Sequence, residues 1–359
     1  MHLAPGPVKG WWMTAGYARC MEDGSGMPVR RPATMRDVAR RAGVSVATVS
    51  RVLNDIPVVR DEMRDRVREA IAELGYRPSS TARSLSLGRS QAIGVVAPFF
   101  TTPSVVERLR GVSQRAGQHG YGLMLFDVET PEQRAGAFRD FARPGRLDGL
   151  LVISLPLRDE EVAGLERDGL PVVMVDIGHP RVPHVVIDDA RGGELATEHL
   201  LARGHRRIGF IGDRPENPFG FTSSEQRRRG FRRALRAAGV TAVAELEARG
   251  RHGREEASDL ARGLLDRDDR PTAVFAASDT QAVGVLEAAR ALGLRVPEDV
   301  AVIGFDDIEL AAPLGLSTVR QPLRQSGASG ADILLAAIAG VPPRPPELDA
   351  LTVVARRTT

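Results

Sequence analysis

TMRDVARRAGVSVATVSRVLN, residues Thr34 to Asn54, reads as two short helices joined by a tight turn. Val38, Ala39 and Ala42 give the first helix an apolar face, and Thr34 with Asp37 stands at capping-box spacing. Gly43 falls where the turn needs a residue tolerant of positive φ. Ser45 can cap a second helix whose Val49, Val52 and Leu53 face inward at helical spacing. That leaves Val46, Ala47, Ser50 and Arg51 on the outer face. Short residues there let a backbone enter a DNA major groove, and one long forked donor can grip guanine. An ordinary helical hairpin inside a larger domain has the same pattern, so the rest of the chain has to decide.

At 359 residues the chain is too long for one typical core, and two or three domains are expected. No run of eighteen apolar residues exists, so no membrane span is expected. The net charge of +3 hides an asymmetry. Arg30 to Ser90 carry thirteen arginines against seven acids, whereas the residues after Ser90 carry thirty-four against thirty-seven. A small basic head on a mildly acidic body suits a polyanion-binding module on a soluble carrier. Cys20 is the only cysteine, which excludes intrachain disulfides and cysteine-cluster metal sites. Residues 1–33 show no sustained period. Lys9 alone makes no n-region and the apolar stretch around Trp11 is short and broken, so no signal peptide is expected. This segment reads as a disordered extension, or as upstream sequence before a true start at Met27 or Met35.

After Asn54 a third helical pattern runs from about Asp61 to Leu74, with Met63, Val67, Ala70, Ile71 and Leu74 on one face and Gly75 ending it. Three such helices can close a small core. The next segment, SSTARSLSLGRS (Ser79–Ser90), is polar and basic. It reads either as a flexible linker or as one or two helical turns with a lone leucine outward, too short to hold alone and folding only against DNA or a partner copy.

From Gln91 the texture changes. IGVVAP (Ile93–Pro98), GLMLFD (Gly122–Asp127), GLLVIS (Gly149–Ser154), PVVMVD (Pro171–Asp176) and HVVID (His184–Asp188) are short β-branched runs with helical stretches between several of them. The rhythm repeats in RIGFIG (Arg207–Gly212), AVFAAS (Ala273–Ser278) and VAVIGFD (Val300–Asp306), and ends with a helix near Ser326–Ala339 and a strand, LTVVA (Leu351–Ala355). Continuous apolar strands alternating with helices predict doubly wound parallel sheets, and two series predict two α/β lobes.

At this point the chain resembles the lactose-repressor (LacI/GalR) family of bacterial transcription regulators, over roughly residues 34–359. The resemblance is carried by Thr34–Asn54, by ELGYRPSSTARSL (Glu73–Leu85), and by HLLARGHRRIGFIG, QRRRGFRRAL, RPTAVFAASDTQAVGVLEAARALGLRVPEDVAVIGFDD and STVRQP in the body. It implies a helix-turn-helix DNA-binding head at 34–78, a hinge helix at 79–90, and a core at 91–359 like a periplasmic sugar-binding protein. Lobe 1 would hold about 91–188 and 319–345, and lobe 2 about 189–318 and 346–359. It also implies a cytoplasmic homodimer on pseudo-palindromic double-stranded operator DNA, controlled by a small-molecule effector, most often a sugar, with no cofactor. The tail carries no heptad-bearing extension of the kind that makes tetramers.

Residue by residue, the resemblance assigns base reading to Val46, Ala47 and Arg51, and phosphate contacts to Thr34, Ser45, Thr48, Ser50 and Asn54. Leu85 matches a leucine wedged into the minor groove by paired hinge helices, with Ala82 and Arg83 beside it. For the effector it points to Asp279 in AASDTQAVG and to Arg227, with Arg228 as the alternative register in a run of three arginines. Asp188 either reaches the ligand or bonds the hinge backbone. Phe99 and Phe219 either wall the ligand or pack in the core. Asp306 and Asp307 match a structural turn. A transporter's binding protein would share the core, but the basic head and lack of a leader argue against it. HExxH, Walker-type and GxSxG motifs are all missing, so no enzymatic residue is expected. If Leu85 is the wedge, Leu85→Ala will weaken operator binding in a gel shift while leaving ligand affinity intact; equal operator binding would refute it.

Overall fold

The computed structural model describes residues 31, 33–53, 56–76, 89–141, 143, 145–216 and 219–359. Asn54, Ala82, Arg83, Leu85 and the segment before Arg31 lie outside the described residues. The chain divides into two compact units, one ending at Arg83 and one beginning at Ser84.

In the first unit α1 (Met35–Ala42), α2 (Val46–Leu53) and α3 (Asp61–Leu74) enclose a core of Val38, Ala39, Ala42, Val49, Val52, Val67 and Ala70. Thr34 and Asp37 form the reciprocal cap: Asp37 N donates to Thr34 Oγ1 at 3.4 Å and Thr34 N donates to Asp37 Oδ2 at 2.9 Å. Gly43 ends α1 at φ 66°, a left-handed conformation that leaves its N–H free to bond back to Ala39 and Arg40. The apolar face expected on α3 is narrower than its spacing suggested. Met63 and Leu74 are exposed at its two ends, and Tyr76, just past the Gly75 cap, is buried and joins the core with Val59.

The second unit holds two doubly wound lobes. In lobe 1, β1 (Ala92–Ala97), β2 (Gly122–Asp127), β3 (Gly149–Ile153), β4 (Val172–Val175) and β5 (His184–Val185) form a parallel sheet in the order β2-β1-β3-β4-β5. Helices α4 (Pro103–Gln118), α5 (Pro131–Phe141) and α6 (Asp159–Arg167) alternate with these strands. Lobe 2 contains β6 (Ile208–Asp213), β7 (Glu247–Gly250), β8 (Ala273–Ala276), β9 (Ala301–Asp306), β10 (Ser317–Arg320) and β11 (Thr352–Val354), in the order β11-β10-β9-β8-β6-β7, all parallel except β11. Its helices are α7 (Asp189–Ala202), α8 (Ser223–Ala237), α9 (Arg254–Leu265), α10 (Asp279–Ala291) and the short α11 (Ala311–Leu314). Helix α12 (Leu323–Ala339) returns to lobe 1 and packs on α4 and β3.

Central strands such as β3 and β9 are buried along their whole length, as parallel strands covered on both faces must be. Strand β7 escapes the apolar pattern because EARG sits at the sheet edge, where one side needs no cover. The lobe boundary expected at Val319 falls inside β10, whose residues pair with β9 through Arg320, so the return to lobe 1 starts at Gln321.

Three helix pairs approach so closely that only glycine fits between their backbones, among them α9 and α10 at Gly284. A Cβ on Gly193 in α7 would lie 2.0 Å from the Arg227 carbonyl oxygen of α8, and one on Gly230 in α8 would lie 1.9 Å from that of Ala190. In lobe 1, a Cβ on Gly327 of α12 would lie 2.0 Å from the Arg108 carbonyl oxygen of α4. Gly193→Ala must push α7 and α8 apart. It should cost about 1–3 kcal/mol or more in denaturant unfolding, and an unchanged midpoint would show that the helices yield freely.

Candidate functional sites

The outer face of α2 presents Val46, 42 % exposed, with Ala47 and Arg51 also exposed. No carboxylate among the described residues pairs with Arg51, so its guanidinium is left to reach outward. Ser45 Oγ accepts from Thr48 N at 3.1 Å and fixes the helix start, while its contact with Thr48 Oγ1 at 2.9 Å ties the two hydroxyls together. Thr34 likewise spends its hydroxyl on Asp37. Ser50 and Thr48 are half-buried on the flanks of the same face.

A cleft of about 110 Å³ opens between the two lobes, at the carboxyl ends of their strands. That is less than the roughly 300–1,000 Å³ of pockets for drug-sized ligands, and it suits a single small ring. Phe99 after β1, Ser154 after β3, Asp176 after β4 and Asp306 at the end of β9 all line it, and all four have positive φ, at 48°, 53°, 79° and 123°. Each such non-glycine residue costs on the order of 1–3 kcal/mol, and such conformations gather at functional sites.

The cleft walls are joined by a polar chain. Arg108 of α4, 2 % exposed, donates through Nη2 to Asp176 Oδ1 and, at 3.1 Å, to Gln321 Oε1. Ser154 Oγ donates to Asp176 Oδ2 at 2.6 Å. Gln321 Nε2 donates to Asp306 Oδ1 at 2.5 Å, which stands 3.7 Å from Arg227 Nη1 of α8. Arg227 in turn donates through Nε to Asp189 Oδ1 at 2.8 Å and through Nη1 to the Ala277 carbonyl at 2.7 Å, and lies 3.7 Å over the Phe305 ring. The chain thus runs from lobe 1 through the crossover residue Gln321 into lobe 2. Beside it Gln281 Nε2 donates to Asp213 Oδ1 at 2.8 Å, and His252 Nδ1 lies 3.1 Å from the same oxygen.

Burial dominates the electrostatics here. It pushes Asp306 above the usual carboxylate range, although Arg227 and the Gln321 hydrogen bond pull the other way. It raises Asp189 too, against the attraction of Arg227. Burial disfavours the charge on Arg227, but Asp189, Asp306 and Asp176 more than offset it and hold the guanidinium charged. His252 lines the cleft with 35 % of its side chain exposed. The walls work against its protonation, yet the hydrogen bond and charge of Asp213 prevail and raise it.

Of the residues expected around a ligand, Arg227 and Phe99 line the cleft, and Arg228 does not. Arg228 pairs with Glu225 and Glu247. Asp188 is exposed and caps α7 by accepting from Arg191 N at 2.8 Å; its neighbour Asp189 is the residue turned inward. Phe219 is packed in the lobe 1 core, edge-on to Phe99 at 5.8 Å, and Phe221 lines the cleft instead. Asp279 does not line the cleft. Ser278 caps α10, which places Asp279 in the first turn and turns it toward β9 and β10. There it accepts from Thr318 Oγ1 at 2.6 Å and from Ile308 N at 3.0 Å. Asp306, expected as a structural turn, lines the cleft, whereas Asp307 is structural, held by Arg320 and Arg356 at 2.7 Å each. Arg108, Asp176, Asp213, His252, Gln281 and Gln321 were not anticipated. One signal was available: Asp176, Asp213 and Asp306 each close an apolar strand run, at the strand end where α/β sheets present ligand sites.

The pattern of bacterial regulatory proteins of the lacI family matches residues 34–79, and a periplasmic binding protein-like domain matches 197–359. The HTH-type transcriptional repressor PurR of Aliivibrio salmonicida is 36 % identical over 309 residues, covering 84 % of this chain and 91 % of its own. The ribose operon repressor of Escherichia coli K12 is 37 % identical, covering 84 % of this chain and 92 % of its own. Among solved structures, the lac repressor dimer bound to operator and the anti-inducer ONPF superposes with a TM-score of 0.80 at 28 % identity, over 91 % of this chain and 99 % of its own.

Burial, with Asp306 nearby, raises Asp279, so the folded chain keeps a proton that the unfolded chain has lost. Its contribution to stability is therefore greatest in acid and declines as pH rises above about 3.9 toward the raised value. Asp279→Asn, whose amide can accept from Ile308 and donate to Thr318, should keep the fold and flatten that decline in urea unfolding at several pH values. An unaltered pH dependence would refute the assignment.

Proposed function

This chain belongs to the lacI family of bacterial regulatory proteins, and from that membership we propose how its two units divide the work. It is a DNA-binding transcriptional repressor controlled by a small molecule in its core. In our reading it acts in the cytoplasm as a homodimer on a pseudo-palindromic operator; the lac repressor that it resembles is a dimer in its operator-bound structure. Among the described residues no helix is long and apolar enough to cross a membrane.

Arg51 reads a guanine through its forked guanidinium, and Val46 and Ala47 meet thymine methyls or sugar edges. Thr34, Ser45, Thr48, Ser50 and Asn54 fix the register on the phosphates. With the Thr34 and Ser45 hydroxyls spent on capping, these two act largely by presenting helix N-termini, which attract phosphate. Leu85, flanked by Ala82 and Arg83, wedges the central minor-groove step.

The effector is a sugar held in the interlobe cleft. The observation that carries this reading is the pairing of carboxylates with guanidinium and amide donors around one small space: Asp176 with Arg108, Asp306 with Gln321 and Arg227, Asp213 with Gln281. A hydroxyl both donates and accepts, so such pairs suit a polyhydroxylated ring, and the Phe99 and Phe221 wall suits its apolar face. Because the polar chain crosses both lobes, ligand bound there favours one lobe arrangement over another. Operator affinity shifts by the ligand's differential affinity for the two.

The test is a gel shift of the gene's own upstream DNA with and without sugars. Specific, salt-sensitive binding that a sugar alters is expected, and no shift at any salt or ligand condition would overturn the reading. In the same assay Arg51→Ala should cost about 1–3 kcal/mol and relax preference at one base position per half-site. Unchanged preference would remove Arg51 from the base-reading set.

A further inference from the structure

We propose that the cleft is built for an uncharged polyhydroxylated ring, against its phosphate ester or acid, and that Arg108 is a specificity-determining residue that donates to a ligand oxygen through Nε. This deepens the sugar reading and rests on it. The charges that surround the cleft are the first ground. Two guanidiniums, Arg108 and Arg227, stand against three carboxylates that line the cleft, Asp176, Asp213 and Asp306, and a fourth, Asp189, buried on Arg227, while His252 is turned onto Asp213. With all four carboxylates ionised the cluster keeps an excess of negative charge even when His252 is protonated, and a proton held by the buried Asp306 brings it to neutrality and not to a positive charge. Strong anion sites offer an unspent guanidinium fork. Here each arginine already faces a carboxylate at ion-pair distance, and Arg227 also spends Nη1 on the Ala277 carbonyl. A phosphate or carboxylate group, which only accepts, would meet acceptors that are already negative. A hydroxyl satisfies both partners of each pair.

The second ground is a single atom. Arg108 Nε is buried and has no acceptor among the described residues, although the same guanidinium is bound at Nη2 by Asp176 and Gln321. Buried charged donors are rarely left so, because the loss of hydration goes uncompensated. Arg108 lines the cleft, and its backbone is set by the glycine contact with α12, so the side chain has little freedom to seek another partner. A ligand oxygen completes it.

The experiment is calorimetry on the full chain with a matched panel: ribose, glucose and galactose, their phosphate monoesters, gluconate, and free nucleobases. We expect at least one neutral sugar to bind, with its phosphate ester at least about tenfold weaker, since one mispaired charge exceeds the 1.4 kcal/mol that a factor of ten represents. An ester that binds as tightly as its parent, or tighter, would overturn the charge selection and leave the sugar reading standing. Binding of nucleobases with no sugar in either form would overturn the sugar reading, and this inference with it. Arg108→Lys keeps the positive charge beside Asp176 but has no Nε–H. It should weaken the neutral sugar about tenfold or more at a temperature where the variant remains folded, as its unliganded melting curve verifies, and wild-type affinity would remove Arg108 from the site. Asp213→Asn lowers the negative charge without touching Arg108 and should narrow the preference for sugar over ester. An unchanged ratio would count against the electrostatic origin, whatever the fold does in the Arg108 variant.

Discussion

The two cleft arginines are fixed by backbone contact before any side chain is considered. Gly327 lets α12 lie on the Arg108 carbonyl, and Gly193 lets α7 lie on that of Arg227. One arginine comes from each lobe, and both are set by a helix that crosses their own at glycine distance. Much else follows from that constraint. A guanidinium so placed is buried, and a buried charge must be paired. Asp176 and Asp189 supply that need, one in each lobe. With the arginines neutralised in place, the cleft becomes a set of donor–acceptor pairs rather than a pool of free positive charge.

The strand ends complete the arrangement. Positive φ at Ser154, Asp176 and Asp306 redirects residues that would otherwise continue the sheet's alternation, and brings three polar side chains to one space. Their strain persists because hydrogen bonds over-determine it: Ser154 to Asp176, Asp176 to Arg108, Asp306 to Gln321. Gln321, just past β10 where the chain crosses between lobes, accepts from one lobe and donates to the other. A change in lobe closure must therefore break or remake bonds at this residue. That is the physical form a two-state response takes here.

The head shows the opposite economy. Its three helices were legible almost in full, because caps, turn and core lie within a few residues of one another. Thr34 and Asp37 cap as their spacing requires, Gly43 takes the left-handed turn, and Val49 and Val52 are buried. Local sequence failed only at the margins. Met63 and Leu74 share the periodicity of the α3 core face but stand at its ends, beyond the reach of α1 and α2. Tyr76 fills the space that they leave.

In the core, sequence by itself determined the alternation of strand and helix and the two lobes, since continuous apolar runs and their order are written along the chain; the lobe crossings and the choice between Arg227 and Arg228 came from the family resemblance, not from any local pattern. What only the tertiary structure decided is which residue of a local pair turns to the cleft or its buried polar chain: Asp189 and not Asp188, Asp306 and not Asp307, Phe221 and not Phe219; Asp279 is buried against β9 and β10 instead. For the two aspartate pairs the direction of the side chain depends on a cap or a strand-end φ, where the regular period of helix or strand has just stopped. The partners of Arg108 are further removed still, since Asp176 lies 68 residues away and Gln321 lies 213. No local pattern joins them; the glycine-spaced packing of α4 on α12 and the crossing after β10 do.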